Sequence, residues 1–351
     1  MPGTSLISEN SDCVQHRVST DSIPVSAMPY FPMIDTHTHF DAPTFDHDRL
    51  MQTQKAYQRG VHHLVLVGYL QRYFERLYAC QQTLTPLNMQ TDTEQRASLA
   101  AEVSLPQVHI ALGLHPFYID QHTEAHLEAM AKCLTDQRPL AIGEIGLDTY
   151  TDEMKTPDML AKQVRFFEAQ LDMAVTHQLP VMLHIRKAHA DVLAILKAHE
   201  YDAHTLGGIA HSFSGGVQEA KAFVKLGFKL GVTGQVSNPN AKKLRRAIVA
   251  AVEKYGTSCL VIETDCPDMM PIMCQQQADL PTSGQSPDDE WRDISGHNRN
   301  VPANLPWVLT SLSELLNVEV TILAQQLWQN SCAALRTTWA YPLSNLANEN
   351  Y

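Results

Sequence analysis

A chain of 351 residues, 44% hydrophobic and 18% charged, is long enough to bury a large core and fits one large α/β domain or two smaller ones. Its formal net charge of −12 argues against tight, sequence-independent binding along duplex DNA, which draws on many Lys and Arg contacts to phosphates. No apolar run approaches the roughly 20 residues of a membrane-spanning helix, and the N-terminus lacks a basic start followed by an apolar block, so a soluble, non-secreted protein is expected.

Residues 1 to 30, rich in Ser, Thr, Asp and Pro without periodicity, read as a disordered or loosely packed tail. From there, short apolar runs alternate with amphipathic stretches: Met33-Ile34-Asp35, Leu64-Val65-Leu66-Val67, His109-Ile110-Ala111-Leu112 and Leu140-Ala141-Ile142 in the first half. Val181-Met182-Leu183, Gly208-Ile209-Ala210, Lys229-Leu230-Gly231-Val232 and Leu260-Val261-Ile262 come next, making eight strands. Between them lie helical patterns such as Met159 to His177, where Val164, Phe167, Leu171 and Val175 recur at spacings of three and four. Eight such repeats predict parallel βαβ units closed into a (β/α)8 TIM barrel; the rival, an open doubly wound sheet, lacks its G-x-G-x-x-G after the first strand. The barrel domain is expected over residues 31–340, with insertions near 82–106 and 270–299 and a C-terminal tail at 341–351. The run Lys242-Lys243-Leu244-Arg245-Arg246 reads as a solvated helix face or, alternatively, a local basic surface for a polyanion.

Seven cysteines, Cys13, Cys80, Cys133, Cys259, Cys266, Cys274 and Cys332, are odd in number and scattered with no C-x-x-C pair. Reduced thiols in a cytoplasmic compartment are the expectation, with a monomer as the expected state and no membrane attachment.

Active sites of such barrels lie at the carboxyl ends of the strands. Here strand one ends in His37-Thr38-His39, strand three in Gly113-Leu114-His115-Pro116 and strand four in Gly143-Glu144-Ile145-Gly146. Strand five ends in His184, strand six in His211 and strand eight in Glu263-Thr264-Asp265. Residues two apart on a strand share a face, so His37 and His39 can both reach into the mouth and grip one ion. Imidazoles and carboxylates suit Zn, Mn, Ni or Fe, and a carboxylate can bridge two ions. A lone His is more often a surface or core residue, and a strand-end Glu often caps the next helix. Coincidence across five of eight strand ends outweighs those readings, and the six candidates His37, His39, Glu144, His184, His211 and Asp265 suit a two-metal centre.

These residues resemble the TatD-type metal-dependent hydrolases and deoxyribonucleases of the amidohydrolase-like barrels. The resemblance runs from about Met33 to Leu335 and rests on Ile34-Asp35-Thr36-His37-Thr38-His39, Gly113-Leu114-His115-Pro116 and Ile142-Gly143-Glu144-Ile145-Gly146-Leu147-Asp148. It continues in Leu179-Pro180-Val181 with His184-Ile185-Arg186, His211-Ser212-Phe213-Ser214-Gly215, Glu263-Thr264-Asp265 and Arg299-Asn300. It implies that His37, His39, Glu144 and Asp265 hold one metal, and that Glu144 bridges to a second held by His184 and His211. His115 and Arg186 look like the family's substrate-phosphate contacts; the structural alternatives are a capping or supporting His and a salt bridge at the rim. Two departures stand out: Cys266-Pro267-Asp268 replaces the usual Ala-Pro-aromatic, which reads as packing rather than a nucleophile or ligand, and Arg299-Asn300-Val301-Pro302 lacks the family's Glu.

The implied activity is a deoxyribonuclease, 3′-5′ exonuclease-like, acting on DNA single strands or ends with two divalent ions, for which Zn, Mg, Mn and Ni are the candidates. Two-metal activation of water would use Asp265 as general base beside the bridging Glu144. The acidic chain is compatible with this, because the cations supply positive charge at the cleavage point. The alternative is hydrolysis of an ester or amide such as aminoacyl-tRNA, for which a carboxylated Lys in place of Glu144 would have argued. A non-catalytic metal-binding scaffold would be indicated by a missing ligand, and none of the six is missing.

Overall fold

Each apolar run becomes one strand of an eight-stranded parallel sheet in sequence order. The computed structural model describes residues 30–85, 104–275 and 299–342. The expected N-terminal tail, nearly all of the C-terminal tail, and the central parts of both expected insertions lie outside the described residues. The strands are β1 (Met33–Thr38), β2 (Val61–Val67), β3 (Gln107–Leu112), β4 (Ala141–Asp148), β5 (Val181–Arg186), β6 (Ile209–Ala210), β7 (Lys229–Val232) and β8 (Leu260–Ile262). Helices α1 (Arg49–Gln58), α2 (Phe74–Leu84), α3 (Glu124–Asp136), α4 (Pro157–His177), α5 (His189–Ala198), α6 (Val217–Lys225) and α7 (Lys242–Tyr255) make the crossovers. Two more, α8 (Leu305–Leu316) and α9 (Val320–Leu335), come after β8. This is the (β/α)8 barrel that the alternation predicts.

Side chains alternate between two layers. Leu64, Leu66, Ile110 and Leu112 belong to the large core shared with the helices. Ile34, Val65, Val67, Ala111, Met182 and Val261 form a second cluster with Trp328 of α9, filling the barrel interior away from the mouth. Trp339 then stacks on the imidazoles of His63 and His109, at ring separations of 4.0 and 4.4 Å.

The seam between β1 and β8 is held differently. Past the strand ends, Asp265 N–H donates to His37 O at 3.0 Å and His39 N–H to Cys266 O at 2.9 Å. Thr36 Oγ1 donates to Ile262 O at 3.1 Å, and buried Asp35 accepts from Thr264 N–H at 2.9 Å and Thr264 Oγ1 at 2.6 Å. The basic run opens α7, with Leu244 buried and Lys242, Lys243 and Arg246 exposed. Among the described residues no single helix is long and apolar enough to cross a membrane, and none of their six cysteines is in a disulfide.

Candidate active site

Two irregular pairings aim the central residues into the mouth. On β4, Ile142 pairs with Val181 but Ile145 with Leu183, so three steps on one strand match two on the other and the extra residue falls beside Glu144. On β1, Asp35 pairs with Leu64 and Thr38 with Leu66, placing a second bulge at Thr36-His37. Ala141 lies in the barrel interior while Ile142, Ile145 and Leu147 pack outward against the helices. Strict alternation from Ala141 would send Glu144 outward; the bulge turns it inward instead.

The Glu144 carboxylate, 2% exposed, is the hub. Its Oε2 lies 3.2 Å from His37 Nε2 and 3.4 Å from His39 Nε2. Its Oε1 lies 2.7 Å from His184 Nδ1, 3.3 Å from His115 Nε2 and 3.7 Å from His211 Nε2. Asp265 spans the same gap, with Oδ1 3.8 and 3.9 Å from the His37 and His39 Nε2 atoms and Oδ2 3.5 Å from His211 Nε2. Asp265 has φ +52°, a left-handed conformation that is costly for a residue with a Cβ and that collects at functional sites. Backbone bonds to His37 and from Asp268 hold it there.

A second ring of polar groups orients the imidazoles. His39 Nδ1–H donates to Val67 O at 3.1 Å, leaving Nε2 to face the hub. His211 Nδ1 is 2.9 Å from Glu263 Oε1, and the same oxygen accepts from Ser212 N–H at 2.5 Å. Any side chain at residue 231 would strike that carboxylate, because a Cβ on Gly231 would come 2.3 Å from Glu263 Oε1. His184 Nε2 meets Asp148 Oδ2 at 3.0 Å.

Burial disfavours charge on every member of this cluster; opposite charges outweigh it at His39, His184, His211, Glu144 and Asp265, but not at His37, whose pKa is pulled below the usual value by burial and by the neighbouring His211. Burial works against the His211 cation, but Glu263, Asp265 and Glu144 together hold its pKa well above the usual value. His39 is likewise pushed up to about 9, burial being outweighed by its bond to Glu144 and the charges of Glu144 and Asp265. Glu144 sits well below the carboxylate range, its desolvation outweighed by His115, His211 and His37. Asp35 is pushed up to about 7 by burial, which outweighs its hydrogen bonds from Thr264 and is reinforced by the charge of Glu263.

His115 behaves differently. Burial pulls its pKa down to about 4, and its Nδ1 accepts from Phe117 N–H at 3.0 Å. A neutral imidazole that accepts at Nδ1 carries its proton on Nε2, so His115 offers a donor to the mouth rather than a lone pair.

The groups His37–His211–Asp265, His37–His39–Glu144 and His115–Glu144–His184 each bring donor atoms within 4.8 Å of one another. Buried carboxylates faced by imidazoles are a donor set that fits divalent cations of the Zn, Mn or Ni type. A cleft of about 700 Å³ opens over them, and His39, His115, Glu144, His184, Arg186, His211 and Asp265 line it. His37, wholly buried, lies beneath.

The sequence profile of TatD-related DNases matches residues 34–336. The chain belongs to this family. An uncharacterized metal-dependent hydrolase of Escherichia coli, YjjV, is 34% identical over 239 residues, covering 67% of this chain and 80% of that relative. Its crystal structure superposes with a TM-score of 0.66 at 30% identity, covering 87% of this chain and 98% of that one. A Salmonella typhimurium protein named 3′-5′ ssDNA/RNA exonuclease TatD is 27% identical over 281 residues, covering 80% of this chain and 90% of its own. The TatD-family chain is therefore a metal-dependent hydrolase.

All eight residues singled out in the sequence of this TatD-family protein gather at one mouth. His211 stands nearer Asp265 than Glu144, and His115 stands nearer Glu144 than His39 and His211 do, though not as near as His184. Arg186 lies farther out, its guanidinium 3.6 Å over the Tyr150 ring and 4.0 Å from Asp148. Cys266 is wholly buried, its Sγ 2.8 Å from Thr38 Oγ1, and burial pushes its thiol pKa well up, in keeping with packing. Arg299 pairs with Asp48, and Asn300 Nδ2 donates to Thr264 O at 3.0 Å, so this turn braces the β8 end.

Sequence reasoning did not assign roles to Glu263, Asp148 or the aromatic lining. Asp148 had a signal, since it lies four residues beyond Glu144 on the same strand and shares its face. Two buried glutamines of α4 were also missed. Gln163 Oε1 accepts from Asp148 N–H at 2.8 Å, and Gln170 Oε1 accepts from Leu114 N–H at 2.7 Å, pinning the segments that carry Asp148 and His115.

Proposed function

We propose that this TatD-family hydrolase cleaves phosphodiester bonds of nucleic acid, with single-stranded DNA or DNA ends as substrate and two divalent cations, Zn, Mg, Mn or Ni, as cofactors. One observation carries the reading: the two oxygens of Glu144 face different groups of imidazoles, His37 and His39 on one side and His184 on the other, as a bridging carboxylate requires. The exonuclease name of the Salmonella relative supports the choice of substrate.

His37, His39, Glu144 and Asp265 would hold one cation, and Glu144, His184 and His211 the other. When bound, the cations supply Lewis acidity toward the phosphoryl group and lower the pKa of the attacking water. Asp265 is only 8% exposed but lines the cleft, and its pKa is held below the usual range: burial alone would raise it, and His211, His37 and His39 outweigh that. It is thus an ionised carboxylate at the right place to take the water's proton. His115 Nε2–H donates to a phosphoryl oxygen. Arg186, its planar cation fixed against Tyr150, neutralises charge at the rim.

Purified protein supplied with Mg, Mn or Zn is expected to release label from 3′-labelled single-stranded DNA. Asp265→Asn should lower that rate by about 10²-fold or more at an unchanged melting temperature. If the wild type leaves DNA intact under all three metals yet hydrolyses carboxylic esters, the phosphodiesterase reading is wrong.

A further inference from the structure

One wall of the cleft is aromatic. Tyr69, Phe117 and Tyr118 line it next to one another, and Gln235, Pro267 and Met269 also line the cleft. Phe117 is 37% exposed and lines a pocket whose other walls carry carboxylates and imidazoles. Its place is set on two sides. Its backbone N–H donates to His115 Nδ1, and its ring meets Tyr118 edge to face at 5.3 Å and 87°. Tyr118 is backed in turn by Tyr69 at 5.6 Å and by His115 at 5.8 Å. The ring and the Nε2–H donor of His115 therefore belong to one rigid turn, two residues apart.

Such a turn can read both parts of a nucleotide. Every nucleobase presents a π-face that stacks on an aromatic side chain regardless of sequence, but only when the base is not already stacked inside a duplex. We propose that Phe117, braced by Tyr118, is a base-stacking, specificity-determining residue: it takes the face of an unpaired base while His115 meets the neighbouring phosphate. This rests on the phosphodiesterase reading and adds that the enzyme discriminates unpaired from paired ends through this ring.

The experiment compares wild type, Phe117→Ala and Phe117→Tyr on two single-stranded oligonucleotides, one intact and one abasic at its last two 3′ positions. Wild type should cleave the abasic probe with kcat/KM reduced about 10-fold or more, the loss of one base–aromatic stack. Phe117→Ala should show a similar loss on the intact probe, mainly in KM, and should match wild type on the abasic one. Phe117→Tyr should restore the intact probe. Phe117→Leu, which preserves bulk, should repeat the alanine result and so separates stacking from misfolding. Intact-probe cleavage by Phe117→Ala within twofold of wild type, or equal losses on both probes, overturns the stacking role alone. Failure of the wild type to cleave either probe overturns the phosphodiesterase reading, and this inference with it.

Discussion

Glu263→Gln removes a charge and almost no volume, and its effect can be worked from three contacts. The carboxylate is wholly buried. Oε1 serves His211 Nδ1 at 2.9 Å and Ser212 N–H at 2.5 Å, while Oε2 accepts from Thr36 Oγ1 at 3.2 Å. A glutamine can keep its carbonyl oxygen where Oε1 stands and turn its NH2 toward Thr36, whose hydroxyl still donates to Ile262 O. Geometry survives, so the loss is electrostatic. A hydrogen bond to a charged group is worth about 1.5–3 kcal/mol and a neutral one about 0.5–1.5, a difference of roughly 1–2 kcal/mol at the His211 imidazole. That converts to about a 5- to 30-fold weaker hold on a cation, overlapping the lower part of the roughly 10–100-fold range typical of outer partners of metal ligands. Competition titration against a chromophoric chelator measures it directly, with the melting temperature of the metal-stripped variant as control. Affinity within twofold of wild type would show that Glu263 does not support the metal site through His211.

His115→Ala should lower kcat/KM on phosphodiesters by about 10²-fold while elemental analysis finds the wild-type metal content, because His115 presents an N–H rather than a lone pair; a drop in bound metal would refute the tautomer argument. Far from the site, burial pushes His63 down to about 3 and His109 to about 4, with the neighbouring imidazole adding to the shift of His63. Both are depressed below the unfolded value of about 6.5, so the stability they contribute is present above about pH 6.5 and is lost as pH falls through about 4 and 3. His63→Leu should flatten the fall of melting temperature between about pH 6.5 and 4 relative to wild type, and parallel curves would sink the assignment.

The eight strands were legible because each is a short apolar run bounded by turn residues, the signature of a strand buried on both faces of a parallel sheet. The metal-type residues were legible because they sit where those runs stop. The bulges were not. Alternation counted from Ala141 puts Glu144 on the outer face, and only the irregular pairing with β5 reverses it. Gln163 and Gln170 escaped for a related reason: a polar residue in a helical pattern reads as solvent-facing, whereas here both are 1% exposed and direct their amides to backbone groups of the site. Of the apolar positions expected on α4, Phe167 and Leu171 are buried and Val164 and Val175 pack partly buried against the same core, and the buried face extends beyond them to Gln163, Phe166, Gln170 and Ala174.

Shared contacts also explain how five separate strand ends deliver one cluster. The last strand docks on the first through groups that are themselves the site or its immediate neighbours. Asp265 N–H bonds His37 O, His39 N–H bonds Cys266 O, and Asp35 takes both donors of Thr264. Closing the barrel and setting the distances between His37, His39 and Asp265 are therefore one event. A cation bound between these side chains would stabilise closure, and a barrel opened at this seam would lose its grip on the cation. The strained φ of Asp265 fits this coupling, since the bonds that seal the seam are those that hold the residue in a conformation it would leave if released.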